Sequence, residues 1–163
     1  MIALRACLIV SAWLLVDGVA RIAYAGGPNE PGIRLTAQEI AALPEIIAGP
    51  GTSGVAGIRS VILEGNPLKD GPYTIALLVP ANTRIAAHTH RDSRSVVVVS
   101  GEWSFGYGET ANDSVKKLGP GGFYTEPSGV AHFARTGDKP VTVYISGAGP
   151  TDTRYVDTAA STR

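Results

Sequence analysis

The chain nearly lacks cysteine. Cys7 is the only one among 163 residues, so a product without residue 7 can have neither a disulfide framework nor a catalytic thiol. Neither sign of charge is in excess: Lys plus Arg number 14, as do Asp plus Glu. The one adjacent basic pair is Lys116-Lys117. Nothing here offers a footprint for nucleic acid or for an anionic membrane. Long hydrophobic runs are scarce too. Ala6 to Val16 is eleven residues, well short of the ~20 needed to span a bilayer. Histidine is rare, with three in the chain, and all three fall in two short segments.

What is present begins with a leader. Arg5 is a short positive start, Ala6 to Val16 is the apolar stretch, and Ala23-Tyr-Ala25 is a small-x-small cleavage site. Together they read as a signal peptide over residues 1–25. The mature chain then starts at Gly26, has no cysteine, and is expected to be periplasmic or secreted, with no membrane attachment after cleavage. Asp17 and Arg21 lengthen the region before the cut, so cleavage after Ala20 or an uncleaved anchor stays open. Cys7 has almost no apolar stretch before it, which argues against lipid attachment there.

Residues 26–55 read as linker and short helix. Leu35 to Leu43 has a helical pattern, Thr36 and Glu39 have capping-box spacing, and Pro44 stops the run. From Ile58 the pattern is all β. Candidate strands are Arg59–Glu64, Tyr73–Val79, Arg84–Thr89, Ser95–Ser100, Trp103–Tyr107, Gly122–Glu126, Ala131–Arg135 and Val141–Ser146. Turn signals such as Gly65-Asn-Pro67 and Gly119-Pro-Gly-Gly122 separate them, which suits the 20 glycines and 11 prolines. Short strands in series with no later helix indicate a sandwich or barrel. That unit spans residues 56–148. Ala111 to Leu118 reads as surface loop, and 149–163 as a polar C-terminal tail.

The histidines carry the chemistry. His88 and His90 stand in Ile85-Ala-Ala-His-Thr-His90, and His132 in Gly129-Val-Ala-His132. Residues two apart on a strand share a face, so His88 and His90 can aim at one point. A third imidazole from another strand would complete a three-nitrogen metal site. Free imidazole titrates near ~6.5, so metal occupancy is expected to fall below about pH 6.

Both segments resemble the two motifs of the cupin superfamily. The first family motif is Gly, five residues, His-x-His, three or four residues, Glu, six residues, Gly; His88-Thr-His90 and Gly101 fit it. The second is Gly, five residues, Pro-x-Gly, two residues, His; Gly121, Pro127-Ser-Gly129 and His132 fit it, while Thr136 replaces a late Asn. The resemblance covers roughly Ile58 to Gly147, and Phe-Tyr-Thr-Glu-Pro and Gly-x-Gly-Pro-Thr look like a subgroup of small secreted cupins. It implies an all-β, cupin-type jelly-roll β-barrel (RmlC-like) with a short N-terminal helix. It also implies one divalent metal ion (Fe, Zn, Mn, Ni or Cu) on His88, His90 and His132, a small-molecule ligand in the barrel, and a homodimer.

The first motif departs where the family has its Glu: Arg94 and Ser95 occupy those places. Three arrangements stay open, in order of preference. The site is a three-His site with open positions, as in the thiol-dioxygenase branch of cupins. Or Asp92 or Glu126 substitutes for the missing carboxylate. Or metal binding is lost. Neutral imidazoles leave the charge on the metal, so the ligand is expected to be anionic. Arg94 either turns outward to an ion pair or waits for that anion. Tyr107, Tyr124 and Phe133 are further substrate-binding candidates, each of which can equally be core. The function expected is metal-dependent binding or turnover of a small anionic molecule; an enzyme would be an oxygenase, isomerase or hydrolase. The alternatives are a non-catalytic periplasmic ligand or metal sensor, and a metal-free structural barrel.

Overall fold

A computed structural model describes residues 32–47 and 52–156. The expected leader, 1–25, lies outside the described residues, and among those described no helix is long and apolar enough to cross a membrane. One short helix, α1 (Ala37–Ala41), precedes the strands. Its capping box forms as the spacing requires: Glu39 N donates to Thr36 Oγ1 at 3.2 Å, and Thr36 N donates to the Glu39 carboxylate at 2.7 Å. The helix is shorter than the expected Leu35–Leu43 and buries none of its residues, so it contributes little to the core.

Among the described residues eleven strands follow: β1 (Glu45–Ile46), β2 (Arg59–Gly65), β3 (Gly71–Val79), β4 (Arg84–Thr89), β5 (Arg94–Ser100), β6 (Trp103–Tyr107), β7 (Lys116–Leu118), β8 (Phe123–Glu126), β9 (His132–Thr136), β10 (Val141–Gly149) and β11 (Arg154–Tyr155). They form two sheets, ordered β1-β2-β3-β10-β5-β8 and β11-β4-β9-β6-β7, with antiparallel pairings throughout. The eight strands legible in the sequence all form, β4 and β6 with the expected bounds and the other six with an end shifted by one to three residues.

The inner faces close on each other through strict alternation. Tyr73, Ile75, Leu77 and Val79 on β3, Val96 and Val98 on β5, and Val141, Val143 and Ile145 on β10 meet Ile85, Trp103, Phe105 and Ala134 of the second sheet. Each large aliphatic side chain buried this way contributes roughly 1.5–3 kcal/mol against exposure. The motif glycine Gly101 has φ +80°, and a Cβ there would stand 2.5 Å from Pro140 O. Only glycine fits that turn.

Three short elements depart from the sequence reading. Lys116–Leu118 is not loop but edge strand β7, held because Leu118 packs against the core while the lysines face out. Glu45–Ile46 pairs with β2, where Arg59 Nη1 donates to Glu45 at 2.7 Å. The expected polar tail is a strap: residues 149–156 return to the barrel, and β11 pairs with β4, Arg154 opposite Thr89 and Tyr155 opposite His88.

Candidate metal centre

A β-bulge aims the first histidine. On β4 and β9, Ile85 pairs with Ala134 and His88 with His132, so two residues on β4, Ala86 and Ala87, answer one on β9, Phe133. The extra residue turns Ile85 and His88, an odd number apart, to the same inner face. His90 follows two residues later on that face. His88, His90 and His132 are each at most 4% exposed, and one ring nitrogen from each lies within 4.8 Å of the others.

Backbone carbonyls fix all three rings. His88 Nδ1 lies 2.7 Å from Ala86 O, His90 Nδ1 2.5 Å from Asp152 O, and His132 Nδ1 3.0 Å from Val130 O. A carbonyl only accepts, so each Nδ1 carries a proton and, in the neutral ring, each Nε2 keeps a lone pair. His132 Nε2 is buried with no hydrogen-bond partner among the described residues. Burial, the neighbouring His132 and Arg94 push His88 down to about 3. Burial first, then Arg94, pushes His90 down to about 2. Both rings therefore stay neutral far below the expected threshold near pH 6. Three fixed lone pairs converging in a buried site, one with no protein partner, are what a divalent cation requires, so the residues fit the metal the motifs imply.

The two carboxylate candidates separate. Asp92 is held away from the cluster: Tyr73 Oη and Thr151 Oγ1 each donate to it at 2.6 Å, and Arg94 Nε at 3.4 Å. Glu126 stands beside two of the three rings, its Oε2 3.5 Å from His90 Nε2 and its Oε1 3.7 Å from His132 Nε2.

Arg94 does not turn outward to solvent. It is 5% exposed and donates to Asp92, to Glu126 at 3.4 Å, to Thr151 Oγ1 and to Asp152 O at 3.1 Å. Four of its five N–H groups are thereby used. A bidentate grip on a substrate anion would first have to break this network.

The aromatic candidates separate as well. Tyr124 lines the cavity; its Oη accepts from Trp103 Nε1 at 2.9 Å. Burial, then the charge of Glu126, pushes its phenol well above the ordinary 10, so it keeps its proton. Tyr107 and Phe133 are not among the lining residues. Tyr107 is half exposed and donates to Thr125 O at 2.6 Å, bridging the sheets at their rim. Phe133 alternates with His132 and Ala134, so it faces the other side of its sheet, where its ring covers Gly106; a Cβ on Gly106 would meet that ring at 2.6 Å.

The sequence reading missed the strap's part in the site. Asp152 O orients His90, Thr151 joins Asp92 to Arg94, and the Tyr155 ring lies 5.5 Å from His88. The cavity leaves about 30 Å³ for the centres of water-sized molecules, room for roughly two waters. The histidines, Glu126 and Arg94 line it together with apolar Leu77, Ile85, Trp103, Phe105 and Ile145.

An antiparallel two-sheet barrel with a histidine triad buried between its sheets defines the class. No protein-family model and no curated protein sequence matches the chain, but solved structures do. It is similar to the polyketide cyclase RemF from Streptomyces resistomycificus (TM-score 0.61, 16% identity, 76% of this chain and 87% of that one). It is similar to a cupin-2 domain protein from Rhodospirillum rubrum (0.58, 15%, 82% and 87%), and to the DMSP lyase DddQ from Ruegeria pomeroyi (0.54, 20%, 74% and 68%). Its alignment with another DMSP lyase structure spans 47% of that chain, about half its length. The chain has the fold of the cupin superfamily.

Proposed function

We propose that this chain is a divalent-metal-binding cupin that binds or transforms a small anionic molecule in its barrel. The observation that carries this reading is the convergence of three buried imidazoles whose Nδ1 protons are committed to backbone carbonyls. A bound metal would supply Lewis acidity and an acidified water. The chain's own residues supply the rest. The carbonyls orient the rings, Arg94 balances Asp92 and Glu126, and Trp103, Phe105 and Ile145 limit the water that enters. A divalent ion among one buried cation and two carboxylates leaves a net positive site, which favours an anion. The small cavity favours a ligand of few heavy atoms.

Two structural neighbours are enzymes, a cyclase and a lyase, which supports catalysis on the same barrel as an analogy of fold. Metal analysis of purified protein, with His88→Ala, His90→Ala and His132→Ala beside it, is the direct test. We expect about one ion per chain and loss of most affinity in each variant; a variant that binds like the parent removes that histidine from the ligand set. Oxygen uptake with Fe(II) then separates an oxygenase from a sensor. We further propose an exported, homodimeric protein starting at Gly26. N-terminal sequencing from the native host tests the first part, and light scattering the second.

A further inference from the structure

We infer that Glu126 is the anionic ligand of this site, and that the carboxylate stands on β8 rather than β5 because it and Arg94 are exchanged across one strand pair. The inference rests on the metal-binding reading above and adds the identity of the fourth protein ligand.

Three observations carry it. Arg94 and Glu126 are direct partners in the β5–β8 register. Directly opposed side chains share a face with Cβ atoms about 5 Å apart, so swapping the two identities moves a carboxylate sideways while keeping it aimed into the same cavity.

The second observation is a mismatch of hydrogen-bonding groups. His90 and His132 direct their Nδ1 protons to Asp152 O and Val130 O, so in the neutral rings that a metal requires both Nε2 atoms are acceptors. The Glu126 oxygens are acceptors too, yet they lie 3.5 and 3.7 Å from those nitrogens at 5% exposure. Acceptors packed against acceptors away from water cost free energy unless a cation lies between them. His132 Nε2 has no other partner among the described residues.

The third observation is that Glu126 is held in place. Arg94 Nη1 donates to its Oε2 at 3.4 Å. Asp92, the other nearby carboxylate, already accepts from Tyr73, Thr151 and Arg94. Arg94 is thus a positioning residue, acting through Glu126.

Cobalt(II) titration followed by visible absorption, with chelator competition for affinity, tests this on the whole chain. The parent should bind one Co(II). Glu126→Gln should bind at least tenfold more weakly and with a changed absorption envelope, because a ligand has been lost. Glu126→Asp keeps the charge beside Arg94 but withdraws the oxygens by one methylene; it should also bind more weakly while melting within a few degrees of the parent, and it serves if Glu126→Gln fails to fold. The double exchange Arg94→Glu with Glu126→Arg should bind more tightly than Glu126→Gln. A parent that binds no Co(II) overturns the metal reading itself. A parent that binds, with Glu126→Gln and Glu126→Asp matching its affinity and spectrum, overturns the ligand assignment alone. A folded double exchange no tighter than Glu126→Gln overturns the exchange.

Discussion

Acid should unfold the metal-free protein well before it protonates the site. Burial holds His88 down to about 3 and His90 down to about 2, against 6.5 for an ordinary imidazole. Below about pH 6.5 the unfolded chain takes up protons on both rings while the folded chain does not. The stability contributed by these neutral rings is complete above that value and is lost as the pH falls toward the folded values. Between about pH 6.5 and pH 4.5 the loss is roughly two units for each ring. At about 1.4 kcal/mol per unit that is about 3 kcal/mol per ring, and about 6 kcal/mol for the pair. Domains of this kind have only about 5–15 kcal/mol in total, so a large share disappears. Urea melts of chelator-treated protein at steps from about pH 7 to about pH 4.5 read the slope, and His88→Asn should remove about half of it. A midpoint flat across that window, or a slope unchanged in His88→Asn, would refute the argument.

Three further outcomes are expected. Arg94→Met leaves Asp92 and Glu126 buried without their cation and should cost about 3–5 kcal/mol in chelator-treated protein, read as a lower melting temperature; Arg94→Glu adds a third carboxylate to the network and should be worse still. Truncation after Gly149 removes the Asp152 carbonyl from His90 and β11 from β4, so zinc affinity by chelator competition should fall about 10–100-fold, as for other lost supports of a metal ligand. Gly106→Ala drives a methyl into the Phe133 ring at 2.6 Å and should cost about 1–3 kcal/mol by thermal melt; a neutral result would show that the ring moves aside freely.

Much of the barrel could be read from period-two alternation. Val141, Val143 and Ile145 announce β10, and Trp103 and Phe105 announce β6, because one face of each strand is buried. The histidine pair could be read for the same reason. Weaker readings came where long-range contact decides. Lys116–Leu118 is a strand because β6 offers an edge, and Arg154–Tyr155 because β4 does; neither segment has an alternation of its own long enough to show. Spacing alone could not rank Asp92 against Glu126. The choice depends on which strand neighbours β5 and on the claim of Tyr73, 19 positions earlier, upon Asp92. Tyr107 and Phe133 failed as lining residues for opposite reasons. Tyr107 lies on the inner face but at the rim, and Phe133 is buried on the outer face, where sequence hydrophobicity looks the same.

The strap sets an order on assembly. His90 receives its orienting carbonyl from Asp152, 62 positions later in the chain, and β4 gains β11 only when Arg154 and Tyr155 arrive. Until those residues have been synthesised and docked, one of the three imidazoles is free to turn. On the proposed metal-binding reading, all three imidazoles are held for an ion only once residues 150–156 have closed on the barrel.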